Sequence, residues 1–167
     1  PCSSVLKVFL AALVTSFPVA AEPVRPLVPL LTAEEIPARC DAGLAKARAM
    51  IAEMEAKPGG EGLFDDWNRL QIAIQDTGNP IQLLGNVHPD KPVRDAAEAC
   101  AQEYARLGTE LLQDEKLLAR VRDAKPATPV QAKLRRDLLD AFEDSGVALS
   151  PAKRARAREI FERLTSL

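Results

Sequence analysis

The only histidine of the chain lies in the stretch GNVHPDKPVRDAAE, which runs from Gly85 to Glu98. A histidine beside carboxylates is a candidate zinc ligand or general base. Zinc sites, however, take three or four protein ligands, drawn mainly from histidine and cysteine. A nucleophilic site needs a base next to an activated hydroxyl or thiol, and no motif places one near His88. The residues therefore predict no catalytic, cofactor-binding or metal-binding group in this chain.

A structural role explains the same stretch better. Asp90 can cap the helix that follows, and Pro92 is tolerated in the first turn of that helix. His88 then lies in a tight connection, where its ring can hydrogen-bond backbone groups left open at the helix ends. We expect His88 and Asp90 to shape this connection.

The chain has three cysteines, of which Cys40 and Cys100 lie on apolar stripes of predicted helices. If the first and third helices run parallel, the two cysteines lie at similar heights, with an axial offset of roughly 6–8 Å that a small tilt removes. We predict a disulfide between Cys40 and Cys100, formed in an oxidising compartment. The alternative is two buried free thiols that act as small hydrophobic residues.

Charged residues offer no second site. The basic run KRARAR, residues 153–158, could bind phosphate or a membrane surface. A solvated face paired with nearby acids is the better interpretation. The adjacent acids Glu34–Glu35 and Asp65–Asp66 are spread by roughly 100° around a helix, so they do not form an acid–base pair.

The N-terminal segment is typical of an exported protein. Lys7 precedes an apolar run, Val8 to Phe17, and small residues follow at 19–21. This pattern predicts a signal peptide at residues 1–21 and a periplasmic or secreted protein. The apolar run is too short for a bilayer span, so we expect no membrane span after cleavage. A formal net charge of -2 gives no reason to expect nucleic acid as a partner.

The rest of the chain predicts an all-α fold, an antiparallel bundle of four to five helices. Residues 22–31 contain three prolines and indicate an extended linker. A helical domain follows over residues 32–167. Its first helix opens with a capping box formed by Thr32 and Glu35. The second helix starts near Leu63, and the segment DTGNP at residues 76–80 is expected to break or kink it.

The third helix is predicted from Lys91 to Ala124, with Asp114 as the only gap in its apolar stripe. The fourth helix stops near Ser145, where Gly146 can adopt the left-handed conformation that ends a helix. The fifth helix begins with Ser150 and Pro151. We expect its apolar residues to face inward; they are Ala157, Ile160, Phe161, Leu164 and Leu167.

Three stretches within the region from Leu63 to the end carry a resemblance to a known family. They read GNVHPDKPVRDAAEACAQ, LGTELLQDEKLLARV and LRRDLLDAFEDSGVALS. In these stretches the chain resembles the N-terminal helical region of the thimet oligopeptidase, neurolysin and oligopeptidase A family of zinc metallopeptidases. The combination of an N-V-H-P-D turn with a later S-G-V turn is the specific part of the match.

This resemblance implies a non-catalytic domain that forms part of the wall of a peptide-binding channel. The C-terminal catalytic region would be its partner, short peptides the substrates, and zinc the cofactor, held outside this segment. In the family a metal-bound water attacks the peptide carbonyl, with a glutamate of the HExxH motif as base. No such motif occurs in this chain, which has one histidine. The alternative is a stand-alone periplasmic helical adaptor or binding protein without peptidase activity.

Overall fold

Six α-helices follow one another along residues 28–165, the part of the chain that the computed structural model describes. They are α1 (Glu35–Ala56), α2 (Leu63–Val87), α3 (Lys91–Leu112), α4 (Glu115–Asp123), α5 (Pro129–Asp144) and α6 (Pro151–Thr165). Within this range no strand is present, which confirms the all-α prediction. The signal peptide expected at residues 1–21 and most of the expected linker lie outside the described residues.

Helices α1, α2 and α3 pack against one another in an up-down-up arrangement. Cys40 of α1 is bonded to Cys100 of α3, and Arg48 further along α1 pairs with Glu110 further along α3. Because the residue numbers rise in the same direction in both helices, α1 and α3 run parallel. Gly85 of α2 lies against Ala97 of α3, and Gly78 lies against Tyr104. Because the α3 number rises as the α2 number falls, α2 runs antiparallel to α3.

One apolar cluster fills the space between the helices. Trp67 of α2 and Phe142 of α5 have ring centroids 6.3 Å apart at an interplanar angle of 56°, within the range of favourable aromatic pairs. The largest fully buried side chains come from α1 to α5, and they are Phe142, Ile36, Leu63, Leu70, Ile81, Leu107, Leu117 and Val121.

The N-terminus of α1 forms as the sequence predicts. The backbone N–H of Thr32 donates to the Glu35 carboxylate at 2.8 Å, and the N–H of Glu35 donates to the Thr32 hydroxyl at 3.3 Å. This reciprocal pair is a capping box. The backbone N–H of Thr32 and the hydroxyl of Thr32 hydrogen-bond to Glu35 and hold its pKa below the usual range.

The predicted break in α2 is wrong. The helix continues from Leu63 to Val87 with Pro80 inside it. Proline removes one backbone donor from a helix and favours a kink, but Ile81 and Leu84 beyond it are buried in the core. Apolar residues continue at helical spacing beyond Pro80. Their burial therefore outweighs the tendency of the segment DTGNP to form a turn.

The prediction of one helix from Lys91 to Ala124 is also wrong. The helix ends at Leu112, and α4 begins at Glu115, which brings the number of helices in the described residues to six. Asp114 is the N-cap of α4, and its carboxylate accepts the backbone N–H of Leu117 at 2.7 Å. The one polar gap in the predicted stripe is therefore a helix start, since aspartate competes for backbone donors and favours caps.

Ile160 and Leu164 of α6 do not face inward as predicted, whereas Phe161 lines a groove with α3 and Leu167 lies outside the described residues. The side of α6 that contacts the bundle carries Arg154 and Arg158, which bond Glu115 and Gln113 respectively. The stripe of Ala157, Ile160 and Leu164 lies roughly 80–140° around the helix from that side. Ile160 is 46% exposed and Leu164 is 62% exposed. Helix periodicity predicted the stripe, but charged contacts decide which side meets the bundle.

Candidate functional site

His88 ends α2 and shapes the connection to α3. Its backbone N–H donates to the carbonyl of Leu84 at 3.0 Å. Its ring Nδ1 accepts the backbone N–H of Asp90 at 3.1 Å. The Arg94 guanidinium donates to the carbonyls of His88 and Pro89 at 2.6 and 2.7 Å. The structure thus places His88 among backbone groups of a turn.

Asp90 occupies the N-cap position of α3, but its side chain makes no capping hydrogen bond. The expected side-chain cap is therefore absent. A cap accepts from the second or third N–H of the helix, and Pro92 is the second residue of α3, so it removes one of these two donors.

Gly146 ends α5 in the left-handed conformation, with φ of 78°. The N–H of Gly146 donates to the carbonyl of Glu143 at 2.9 Å, and the N–H of Val147 donates to that of Phe142 at 3.3 Å. This pair of bonds is a Schellman motif. The Ser145 hydroxyl also donates to the Leu112 carbonyl at 2.5 Å, so the turn is tied to the end of α3.

Cys40 and Cys100 form a disulfide in the structure. Their Cα atoms are 5.9 Å apart, within the usual range for a disulfide. Both residues are buried, so the bond joins α1 to α3 inside the core.

The described residues do not fit a zinc ion. Residues 28–165 contain no group of three or more histidine, cysteine or acidic side chains arranged to hold a metal. Cys40 and Cys100 lack thiolates because they are joined to each other, and the His88 Nδ1 lone pair is used by the Asp90 N–H. No chemistry through zinc can be derived from these residues.

A buried ionic cluster lies at the junction of α1, α2 and α4. Asp66 is 4% exposed, and its carboxylate accepts from Lys57 at 2.8 Å and from Arg69. Burial raises the pKa of Asp66, but the hydrogen bond from Lys57 and the charges of Lys57, Arg69 and Arg120 outweigh burial and lower the pKa overall. Asp66 therefore stays ionised inside the fold.

Arg120 is the second buried charge of this cluster. Its three guanidinium nitrogens donate to the carbonyls of Gly59, Met54 and Glu61, each at 2.8 Å. One of these nitrogens also lies 3.6 Å from the Asp66 carboxylate. A single side chain thus ties the end of α1 and the loop to α2 onto α4 through three carbonyl groups.

Sequence reasoning missed this cluster. The sequence pattern presents Asp66 only as one of two adjacent acids, and it does not single out Arg120. A signal was present, because Arg120 lies three and four residues from Leu117 and Ala124 on the apolar face of α4. A charge on a buried face needs a partner.

Carboxyl groups from α1 and from the N-cap of α4 lie near the junction of α3 and α4. Asp114 and Glu55 of α1 line one open groove, and the Lys116 ammonium lies 3.0 Å from the Glu55 carboxylate. Burial raises the pKa of Asp114, and the nearby Glu55 carboxylate raises it further, against backbone hydrogen bonds that lower it. The hydrogen bond that Lys116 donates to the Glu55 carboxylate, together with the charge of that carboxylate, raises the pKa of Lys116.

Tyr104 of α3 extends its hydroxyl between α1 and α2. The hydroxyl group is buried and has no hydrogen-bond partner among the described residues, although the Thr77 side chain lies beside it. A side chain at Gly43 would overlap this hydroxyl and Thr77. Glycine at position 43 is therefore required for the close approach of the three helices.

One groove has a volume of about 490 Å³ and is open to solvent. It lies between the α1–α2 loop and the α4–α5 connection. Its lining combines Phe64, the acids Glu61, Asp65 and Asp123, and Lys125 and Gln131.

Comparisons with protein-family models, with curated proteins and with solved structures found no match for this chain. No helix within residues 28–165 is long and apolar enough to cross a membrane. The function is therefore argued from the surfaces and turns described above.

Proposed function

We propose that residues 32–167 form a non-catalytic helical domain of a secreted zinc oligopeptidase of the thimet oligopeptidase type, where they make up part of the wall of the peptide-binding channel. The three stretches that resemble this family include the His88 turn and the Gly146 turn. Both turns are held by several backbone hydrogen bonds, which favours a role in setting the directions of long helices.

The observation that carries the proposal is the outward apolar stripe of α6. Ile160 and Leu164 are 46% and 62% exposed on a helix that contacts the bundle through arginines. Exposed apolar side chains grouped on one face favour contact with further protein. In the proposed enzyme the C-terminal catalytic region covers this stripe.

The remaining parts of the proposal follow from the same assignment. Zinc is held by the catalytic region, since the described residues lack a ligand set for it. Short peptides are the substrates. The protein is periplasmic or secreted, which agrees with a disulfide in the core, because such bonds persist in oxidising compartments.

A second candidate function is a stand-alone periplasmic helical adaptor or binding protein. The open groove of about 490 Å³, with Phe64 beside charged side chains, is the observation that favours it. In that case the groove, and not a channel wall, would contact the partner.

The gene and its product distinguish the two functions. We expect an open reading frame beyond codon 167 that encodes HExxH. The encoded protein should cleave quenched fluorogenic peptides, and chelation of zinc should abolish the cleavage. A stop codon after Leu167, or a product without zinc-dependent turnover, would rule out the peptidase assignment.

The role of the α6 stripe can be tested in the same product. The substitutions Ile160→Lys and Leu164→Lys together should lower turnover, because they place charges at the contact with the catalytic region. Val130→Lys is the matched control, since Val130 is 77% exposed at the start of α5. Equal turnover of the stripe variant and the control would contradict the proposed contact.

A further inference from the structure

The groove of about 490 Å³ lies between two connections that are both fixed to neighbouring helices. In the α1–α2 loop, the carbonyls of Gly59 and Glu61 each accept a hydrogen bond of 2.8 Å from the buried Arg120 guanidinium. Gly60 between them packs so closely on the end of α4 that a side chain at this position would collide with the Ala124 backbone. The wall of the groove on the α1–α2 side is therefore held in place.

The α4–α5 connection forms the opposite wall, and side chains of α5 hold it. The Arg135 guanidinium donates to the carbonyls of Val121 and Arg122 at 3.1 and 2.7 Å. The side-chain oxygen of Gln131 accepts the backbone N–H of Ala127 at 2.7 Å. Because both walls are fixed before anything binds, a partner loses little affinity to the ordering of the groove.

The lining of the groove carries more negative than positive charge. It contains Glu61, Asp65 and Asp123, whereas Lys125 is its one cation. The three carboxylates are exposed, and none of them takes part in an ion pair among the described residues. The neighbouring Asp66, by contrast, is buried and bonded to cations of the domain itself. The groove therefore offers carboxylates that a cation from outside the domain can reach.

Phe64 adds an aromatic surface to these carboxylates. Its side chain is half-buried, packs against the core and also lines the groove. A guanidinium or ammonium group is attracted to the face of an aromatic ring, and a guanidinium can form two parallel hydrogen bonds with a carboxylate. A side chain with an apolar stem and a cationic end fits both features, and arginine fits them better than lysine because its planar group also stacks on rings.

We propose that this groove binds a peptide segment of a partner protein in which an arginine lies between apolar residues. The guanidinium enters among the carboxylates of Glu61, Asp65 and Asp123, and the apolar part of the segment lies against Phe64. The volume of the groove is within the range of about 300–1,000 Å³ that ligand-binding clefts have. The binding uses only residues of this chain, so it does not rest on either proposed function.

Fluorescence anisotropy of a labelled peptide, titrated with the 167-residue chain, tests the proposal. The probe is the peptide Gly-Leu-Arg-Leu-Gly with a dansyl group at its N-terminus and an amidated C-terminus. The comparison peptide carries citrulline in place of arginine, which keeps the shape of the side chain and removes its charge. The arginine peptide should bind about 10-fold more tightly, the scale of a hydrogen bond to a charged group. Raising the ionic strength to about 0.15 M should weaken the binding of the arginine peptide more than that of the citrulline peptide.

Removal of the three negative charges should weaken the binding of the arginine peptide. The triple variant Glu61→Gln, Asp65→Asn, Asp123→Asn should lower the affinity by about 10-fold, since each exposed ion pair contributes a factor of about 1.4–5. Phe64→Leu keeps an apolar side chain against the core and removes the ring. This variant should lower the affinity by about 2–5-fold, the scale of a cation–π contact at an exposed site.

The triple variant Asp41→Asn, Glu98→Gln, Asp140→Asn is the matched control, because it removes three exposed carboxylates from other parts of the surface. It should change the affinity by less than about 2-fold. Equal affinities for the arginine and citrulline peptides, or equal losses in the two triple variants, would overturn the proposal. If the groove variant does not fold, NMR of the wild-type chain decides. The arginine peptide should then shift the amide signals of residues 60–65 and 123–127 most, and shifts centred elsewhere would overturn the proposal.

Discussion

The bundle of α1, α2 and α3 and the terminal helix α6 are built from similar apolar stripes, but they are held in different ways. The three-helix part is joined by a buried disulfide and by apolar side chains from each helix. Helix α6 contacts the bundle through Arg154, Arg158 and Glu162, the last of which lies 3.4 Å from Arg106. Its stripe of Ile160 and Leu164 remains largely exposed.

This difference shows that periodicity locates a helix without deciding which side is buried. In α1 to α3 the apolar side is the one that meets its neighbours. In α6 partly exposed ion pairs hold the helix, and such pairs contribute about 0–1 kcal/mol each. We therefore infer that the three-helix part provides most of the stability and that α6 presents a surface to another partner.

The largest effect is expected from Arg120→Ala. The substitution leaves Asp66 buried with less compensation and removes three hydrogen bonds to the carbonyls of Met54, Gly59 and Glu61. Breaking a buried ionic pair costs about 3–5 kcal/mol. Chemical denaturation of the purified protein measures this loss. Arg122→Ala is the control, because Arg122 is exposed on the same helix. It should change the unfolding free energy by less than about 0.5 kcal/mol. Similar losses for both variants would show that the buried contacts of Arg120 do not stabilise the fold.

Loss of the disulfide is the next largest expected effect. The bond closes a sequence separation of 60 residues, and removing a native disulfide costs about 2–5 kcal/mol. The double variant Cys40→Ala, Cys100→Ala should lose stability in this range, as measured by thermal or urea unfolding. A reducing agent should destabilise the wild type but leave the double variant unchanged. Equal stability with and without reductant in the wild type would contradict the predicted role of the bond.

A smaller effect is expected from Gly43→Ala, because the new methyl group would overlap the Tyr104 hydroxyl. Overpacking of this kind costs about 1–3 kcal/mol. Adding Tyr104→Phe should recover part of the loss, since it removes the hydroxyl that the methyl group meets. Unfolding free energies of the single and double variants measure this coupling.

Gly108→Ala is the matched control for Gly43→Ala. Gly108 is also inside a helix, but a side chain there would meet no atom within 4 Å. Alanine is favoured over glycine in a helix by about 0.5–1 kcal/mol, so this variant should be more stable than the wild type. A loss at position 108 as large as that at position 43 would rule out a steric cause.

The smallest effect is expected on α6. Ile160→Lys with Leu164→Lys changes two exposed side chains, so the stability of this chain should change by less than about 0.5 kcal/mol. Circular dichroism during thermal unfolding measures it. A loss of more than about 2 kcal/mol, as for a buried side chain, would show that the stripe is part of the core.

Several turns and helix starts, though not the start of α4 at Asp114, could be predicted from the sequence because their causes are local. Thr32 with Glu35, Pro151 after Ser150, and Gly146 all act through neighbouring backbone groups. The cysteine pair needed one further step, the parallel arrangement of the first and third helices. That step was an assumption, since apolar stripes show that each helix meets another but not which one.

The features that could not be predicted depend on distant contacts. Pro80 stays within α2 because Ile81 and Leu84 are buried by other helices. Arg120 reaches carbonyls 59 to 66 residues away in sequence. The orientation of α6 depends on Glu115 and Gln113, which precede it by about 40 residues. A single sequence carries no direct signal for such pairings.

Native-state hydrogen exchange tests most directly the claim that α1 to α3 hold the fold while α6 is held weakly. Amides in the middle of α1, α2 and α3 should exchange only through global unfolding, so their opening free energies should equal the unfolding free energy from denaturation. Amides in the middle of α6 should exchange through local opening at a clearly lower free energy. Equal opening free energies in α6 and in the three-helix part would contradict this account.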